Sequence, residues 1–219
     1  MDVTDLETLH PRLFHMADAN SWDGIRTHGL LSTSALLDLF EVEEPRRSSI
    51  EFDRRPEAVQ LSHARHGVVT IRDNKPMTTP ALEKCLQDGM TPTDWYRNLN
   101  RRVFFWLTAE RVETLLDARA YRGRPHLVLT LDTSSLLQAH LPRISLSPIN
   151  SGATLYKPQP RGAATFRSVA AYPWDEYRRR RAAEDAIVEL TVDEGVTDIM
   201  QHLIAAHLRN PDGSVEDLG

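Results

Sequence analysis

Arg12-Leu-Phe-His-Met-Ala17 and, a few residues on, Ser21-Trp-Asp-Gly-Ile-Arg-Thr-His-Gly-Leu-Leu-Ser-Thr-Ser34 decide how this chain is read. Leu13 and Phe14 suit a buried strand. Ser21 suits the N-cap of a helix and Gly29 its end, because glycine takes the left-handed backbone that a side chain resists. His15 is thereby presented at an element boundary.

The rest of the chain mixes short helices and strands without a regular βαβ period or internal repeat, which predicts an α+β fold rather than a doubly wound sheet. Residues 34–40 have helical spacing, and 41–55 read as a charged, Pro-containing surface excursion and loop. A β-branched strand over 66–72 delivers Arg72 to the turn Asp73-Asn-Lys-Pro76. Helices are predicted over 79–88, from 91 onward and over 110–118, with strands over 102–107 and 126–131 and an Asp132-capped helix towards residue 140. Residues 141–173 hold short strands and little helix. A last strand over 186–192, a helix over 199–208 and a frayed tail over 210–219 complete the prediction, which places a single domain at residues 1–209.

The length of 219 residues, 41% hydrophobic, allows one sizeable core. A net charge of −5 and a pI near 6.0 provide no global attraction to nucleic acid or membrane, so any polyanion site is a local patch. Of 26 basic side chains only Lys75, Lys84 and Lys157 are lysine. Arginine is the better bidentate phosphate ligand, although an arginine-favouring genome produces the same count. The lone Cys85 excludes an internal disulfide and a multi-cysteine zinc site, and with no signal peptide or membrane span in the sequence it predicts a cytoplasmic protein. Phosphate-loop, dinucleotide-fingerprint and His-Glu-x-x-His motifs are absent from the sequence. His63 and His66 have the spacing of metal ligands on one helical turn but lack a third partner, so a solvated helix end is expected there.

Glu189 carries the strongest chemical signal. Period-two alternation puts Ile187, Glu189 and Thr191 on one strand face and Val188, Leu190 and Val192 on the other. A carboxylate inside such a strand is costly to bury unless it is paired or lines a wet cleft, and an edge strand with its polar face in water is the alternative. Glu184 and Asp185 compete with it, but next to the basic run Arg178–Arg181 they read as solvated ion-pair formers.

The strand, the exposed His15 and the helix closing on His28-Gly-Leu30 resemble the opening of ADP-ribosyltransferase-like folds, especially the DarT-type DNA ADP-ribosyltransferases and the RNA 2'-phosphotransferases. Val188-Glu-Leu-Thr-Val-Asp-Glu-Gly-Val-Thr-Asp-Ile199 resembles the end of the DarT type, where the glutamate is catalytic. The resemblance implies a split mixed β-sheet with surrounding helices and NAD bound in its cleft. ADP-ribose would pass to a macromolecule, with a DNA or RNA base as one acceptor and a toxin-like role.

It further implies Glu189 as the catalytic carboxylate and His15, Gly29 and Leu30 at the cofactor, a histidine bonded to a nearby backbone carbonyl being the alternative for His15. Arg72, which ends a strand before a turn, reads as the cation for phosphates or acceptor or as a plain surface arginine. Trp106 would lie beside the nicotinamide, whereas Phe104 and Phe105 read as core. The polar glycine elements at Asn150-Ser-Gly152 and Arg161-Gly162 can cradle an anion, as ordinary turns also do, and are placed at the nucleotide-binding edge. Arg46, Arg47, Arg54 and Arg55 lie where the DarT type keeps a substrate-facing arginine. Leu107-Thr-Ala-Glu-Arg111 stands where that type has Asn-Pro-Arg, which leaves the acceptor open. A non-catalytic nucleotide-binding module and an RNA 2'-phosphotransferase-like enzyme are the competing expectations.

Overall fold

A computed structural model describes residues 2–155 and 157–219. In chain order its elements are α1 (Val3–Leu9), β1 (Arg12–Asp18), α2 (Trp22–His28), β2 (Leu30–Leu31), α3 (Thr33–Leu39) and α4 (Arg46–Glu51). The hairpin β3 (Val59–His63) and β4 (Gly67–Ile71) follows, then α5 (Thr79–Glu83), α6 (Pro92–Asn100), β5 (Arg102–Trp106) and α7 (Ala109–Leu116). The second half holds β6 (His126–Asp132), α8 (Thr133–His140), β7 (Ile144–Ser147), β8 (Arg167–Ser168) and α9 (Trp174–Arg178). β9 (Glu189–Asp193), β10 (Gly195–Val196), β11 (Leu203–Arg209) and β12 (Val215–Asp217) complete the chain. The fold is α+β.

Eight strands form one sheet in the order β12-β11-β6-β1-β5-β9-β7-β8, with β2–β10 and β3–β4 as separate ribbons. All its strand pairs are antiparallel, which corrects the expectation of a mixed sheet. Short polar side chains cap α1, α3, α6 and α8. Thr91 and Asp94 form a capping box ahead of Pro92, and Asp132 accepts the Ser135 amide at 2.7 Å. Gly29 ends α2 at φ +81, giving its N–H to the Ile25 carbonyl at 2.9 Å. Ser21 makes no cap bond. Asp18 instead caps a 3₁₀ turn, Ala19–Ser21, that leads into α2.

The sheet has a seam at its centre. β1 pairs with β6 along its whole length from Arg12 to Asp18, whereas it meets β5 only at Phe14 and Trp106. Diverging strands leave ladder groups unpaired, and a buried carbonyl without a donor is costly. Two histidines supply the donors. His15 Nδ1 lies 2.8 Å from the Phe104 carbonyl and His10 Nδ1 lies 3.2 Å from that of Leu107. Both imidazoles therefore carry their proton on Nδ1, and burial depresses both pKa values.

The main core, with Leu13, Phe105, Leu129, Leu190 and Val192, spans the seam on one face. On the other, Met16 and Val128 pack under Val112 and Leu116 of α7. The 41–55 segment is no loose loop. It carries α4, buries Ile50 and Arg55, and packs on the hairpin core of Leu37, Leu61 and Ile71.

Two C-terminal expectations change. Residues 199–208 form a 3₁₀ turn and the strand β11 rather than a helix, because β6 offers a full-length partner. The stretch read as a frayed tail holds β12, paired with β11 from His207 to Arg209.

His10 is 2% exposed and outside the cavity described below. Replacing it by alanine strands the Leu107 carbonyl and opens a void, so His10→Ala is expected to lower stability by about 2 kcal/mol in urea unfolding, with little change at the ligand site.

Candidate functional site

A cavity of about 320 Å³ opens where the seam splays. Glu189, first residue of β9, stands opposite Trp106 on one side and Ser147 on the other. Leu190 and Val192 turn into the main core. Glu189 therefore projects from the opposite face, and β9 is an inner strand rather than a solvated edge. The side chain is 3% exposed and lines the cavity.

What holds this carboxylate is a loop. The Ser151 amide donates to both Glu189 oxygens, at 3.1 and 3.2 Å. Arg161, 1% exposed, shapes that loop from behind: its guanidinium donates to the carbonyls of Ser151 and Ala153 at 2.9 Å and its Nε to that of Gln159 at 3.1 Å. The Trp95 indole also donates to the Ser151 carbonyl, at 3.4 Å. Arg161 is thus spent on backbone and does not line the cavity, which corrects its assignment as a cofactor ligand.

The other nine candidates converge. His15, Arg72, Trp106, Asn150, Ser151 and Gly152 line the same cavity as Glu189, and Gly29 and Leu30 form one wall. That wall depends on glycine, because a side chain at position 29 would strike the Val196 and Thr197 backbone. The Gly29 amide is already given to Ile25, so this wall contributes shape rather than an N–H donor.

Electrostatics differ sharply across the cavity. Burial pushes the Glu189 carboxyl up to about 7, against the lowering effect of the Ser151 bonds and of Arg161. Burial takes His15 down to about 4, with Arg72 adding to the shift, so the imidazole is neutral at pH 7. With Nδ1–H on Phe104, its Nε2 is an acceptor for a hydroxyl. The Arg72 guanidinium lies 4.8 Å over the Tyr121 ring and makes one long bond, 3.5 Å, to the Met16 carbonyl. Four buried polar atoms of the lining lack any partner among the described residues: Arg72 Nε, Arg102 Nε, the Tyr96 hydroxyl and Ser151 Oγ. A ligand rich in hydroxyl and phosphate oxygens would satisfy such donors, so the residues present fit a nucleotide.

Several residues of the lining carried no signal in the sequence. Tyr96 and Asn100 come from α6, and Tyr121 follows α7. Arg55 lines the floor, but its head group is engaged by the Ile50 and Arg72 carbonyls and by Asn100. His63 ends β3 and His66 lies in the β3–β4 turn rather than on a helix, with their rings stacked at 4.7 Å. Asp185 pairs with Arg111 at 2.5 Å and Glu184 is exposed, as solvated ion-pair formers are.

The raised carboxyl has a thermodynamic sign. The folded protein keeps a proton that the unfolded chain releases from 4.5 upward, so stability from this group falls as pH climbs towards 7. Above 7 the ionised carboxylate costs about 3 kcal/mol. Glu189→Gln keeps an acceptor for Ser151 and removes that charge. Its melting temperature is expected to exceed that of the parent at pH 8 and to match it at pH 4.5, as read by calorimetry at both pH values.

A family of unknown function, DUF7002, matches residues 11–203, a span that takes in β1, the Gly29 wall, the Ser151 loop and Glu189. No curated protein matches the chain. With nearly its whole length covered by that match, the chain belongs to this family of unknown function.

Proposed function

We propose that the cavity is the active site of an NAD-dependent ADP-ribosyltransferase. The observation that carries the reading is convergence: His15, the Gly29–Leu30 wall and Glu189 come from three distant parts of the chain and line one cavity. These are the positions at which the sequence resembles the ADP-ribosyltransferase-like opening and end. NAD would supply an N-glycosidic bond whose breakage releases neutral nicotinamide and leaves ADP-ribose for an acceptor.

Each residue has a physical task in that chemistry. Glu189 in its ionised form opposes the positive charge that grows on the ribose, as carboxylates do in glycoside cleavage. With a pKa near neutrality it also takes the proton of an incoming hydroxyl or amine. His15 Nε2 accepts from a ribose hydroxyl, Trp106 offers a ring face to the nicotinamide, and Arg72 donates to the diphosphate. The Ser151 hydroxyl, buried and unpaired, donates to the ribose or to Glu189. The apolar walls keep water from competing as acceptor.

One observation favours a second enzyme reading, RNA 2'-phosphotransfer. Three arginines, Arg55, Arg72 and Arg102, line the cavity with His15. Arg55 is engaged by backbone and Asn100, and Arg102 is paired with Asp193. Arg72 and Arg102 each keep an unpartnered Nε, and two such donors fit the two phosphates of a dinucleotide. That is a better match to a dinucleotide than to a site gripping a separate terminal phosphate, so ADP-ribosyl transfer is preferred. A transferase acting on a nucleic-acid base, or on a protein, takes its acceptor at the open side of the cavity.

The test is incubation of purified protein with adenylate-labelled NAD and, separately, DNA, RNA, 2'-phosphorylated RNA or protein. Nicotinamide release with label retained on one polymer is expected, half-maximal near pH 7 as Glu189 ionises. Glu189→Gln should lower turnover by about 10²–10⁴-fold while leaving NAD affinity within a few fold. NAD binding without cleavage by the parent protein would instead make this a nucleotide-binding module, and transfer of the RNA phosphate would select the second enzyme reading.

A further inference from the structure

Behind the Gly29 wall lies a second cluster of titratable side chains that the cavity does not use. His140, the last residue of α8, places its Nε2 2.9 Å from one Asp198 oxygen, and His202 Nε2 stands 3.5 Å from the other. The three ligand atoms lie within 4.8 Å of one another. Four ligands at zinc-like distances of about 2.0–2.1 Å sit about 3.3 Å apart at the corners of a tetrahedron. The two histidine–carboxylate separations, each to a different Asp198 oxygen, are of that order.

The histidines are 8% and 4% exposed, and His202 Nε2 has no hydrogen-bond partner despite its burial. Such an orphan nitrogen asks for a ligand. His202 Nδ1 meets the Ser135 hydroxyl at 3.0 Å, as the outer nitrogen of a metal-site histidine does, whereas His140 Nδ1 accepts from Arg143 at 2.8 Å. Asp198 is partly exposed, leaving a route for an ion and room for a water on the open side.

We propose that His140, Asp198 and His202 form a divalent-cation site of the zinc class, with three protein ligands and one open position, fastening α8 to the β10–β11 connection. The donor set of two imidazoles and one carboxylate selects zinc and its late first-row neighbours over magnesium or calcium, which prefer all-oxygen sites. Arg143 sets the energetic terms. A guanidinium only donates, so His140 Nδ1 is its acceptor and the ring carries its proton on Nε2. Metal on Nε2 requires that proton to move to Nδ1, a tautomer switch without net release, as Arg143 Nη2 turns aside. Arg143 Nη1 retains the Asp193 and Gly195 carbonyls at 2.8 Å. The positive charge nearby makes the site weaker than a closed four-ligand one.

The location gives the ion a task. Asp198 lies two residues beyond the end of β10, and the Val196 and Thr197 backbone is what Gly29 packs against. A bound ion would stiffen the wall of the cavity from behind, whatever the cavity binds.

Chelator-treated full-length protein titrated with zinc chloride tests this by calorimetry, with metal analysis of the product. One equivalent per chain and a raised melting temperature are expected, and cobalt(II) should produce the visible absorption of a four-coordinate site. Asp198→Asn and His202→Gln should each weaken binding by at least about tenfold, and Ser135→Ala, which touches no metal, should weaken it while circular dichroism stays native. No saturable binding at one equivalent overturns the proposal. So does binding that survives Asp198→Asn and His202→Gln, or that is lost when His63 and His66 are both changed to glutamine.

Discussion

The single Phe14–Trp106 pairing between β1 and β5 is the constraint from which the rest of the molecule follows. A sheet that stays zipped has no room for a ligand between its strands, and one that unzips exposes backbone carbonyls in its own core. Here the opening is stabilised by two imidazoles, His15 donating to the Phe104 carbonyl of β5 and His10 to that of Leu107 just beyond it, one on either side of that pairing. The seam thus creates the cavity and fixes the tautomer of the histidine that lines it. A backbone repair and a cavity-lining group are the same side chain.

The opposite wall uses a different economy of groups. Glu189 is enclosed on an inner strand, and the only hydrogen bonds to it within the described residues come from one amide, that of Ser151. Arg161 touches no part of the cavity, yet it bonds the carbonyls of Ser151 and Ala153 and so aims that amide. A cation placed one layer back lowers the carboxyl pKa less than a direct ion pair does. The carboxyl is left titrating near neutrality.

Much of this was legible in the sequence, for identifiable reasons. Polar caps and glycine at chain turns are local signals, so α6, α8 and the end of α2 at Gly29 follow from residues within a few positions. Glu189 was conspicuous because a carboxylate interrupts an apolar run. What failed depended on partners far away in the chain. Residues 203–209, Leu-Ile-Ala-Ala-His-Leu-Arg, have helical composition, and β6 overrides it by offering a complete ladder. Arg161 reads as an anion ligand until the carbonyls around it are seen, and Arg55 as a surface residue until Asn100 is placed beside it. His140, Asp198 and His202 are 58 and 4 residues apart, a spacing without a motif.

The strand order has a consequence for how the protein comes into being. β6 and β1 on one side of the seam need β11 from near the C-terminus, and β5 on the other needs β9, so neither half can be completed from a continuous stretch of chain. Such threading implies high contact order and slow assembly, because distant segments must be brought together before their pairing is rewarded. During synthesis His15 would exist long before Glu189 leaves the ribosome, so the cavity that both line stays incomplete until β9 has been made.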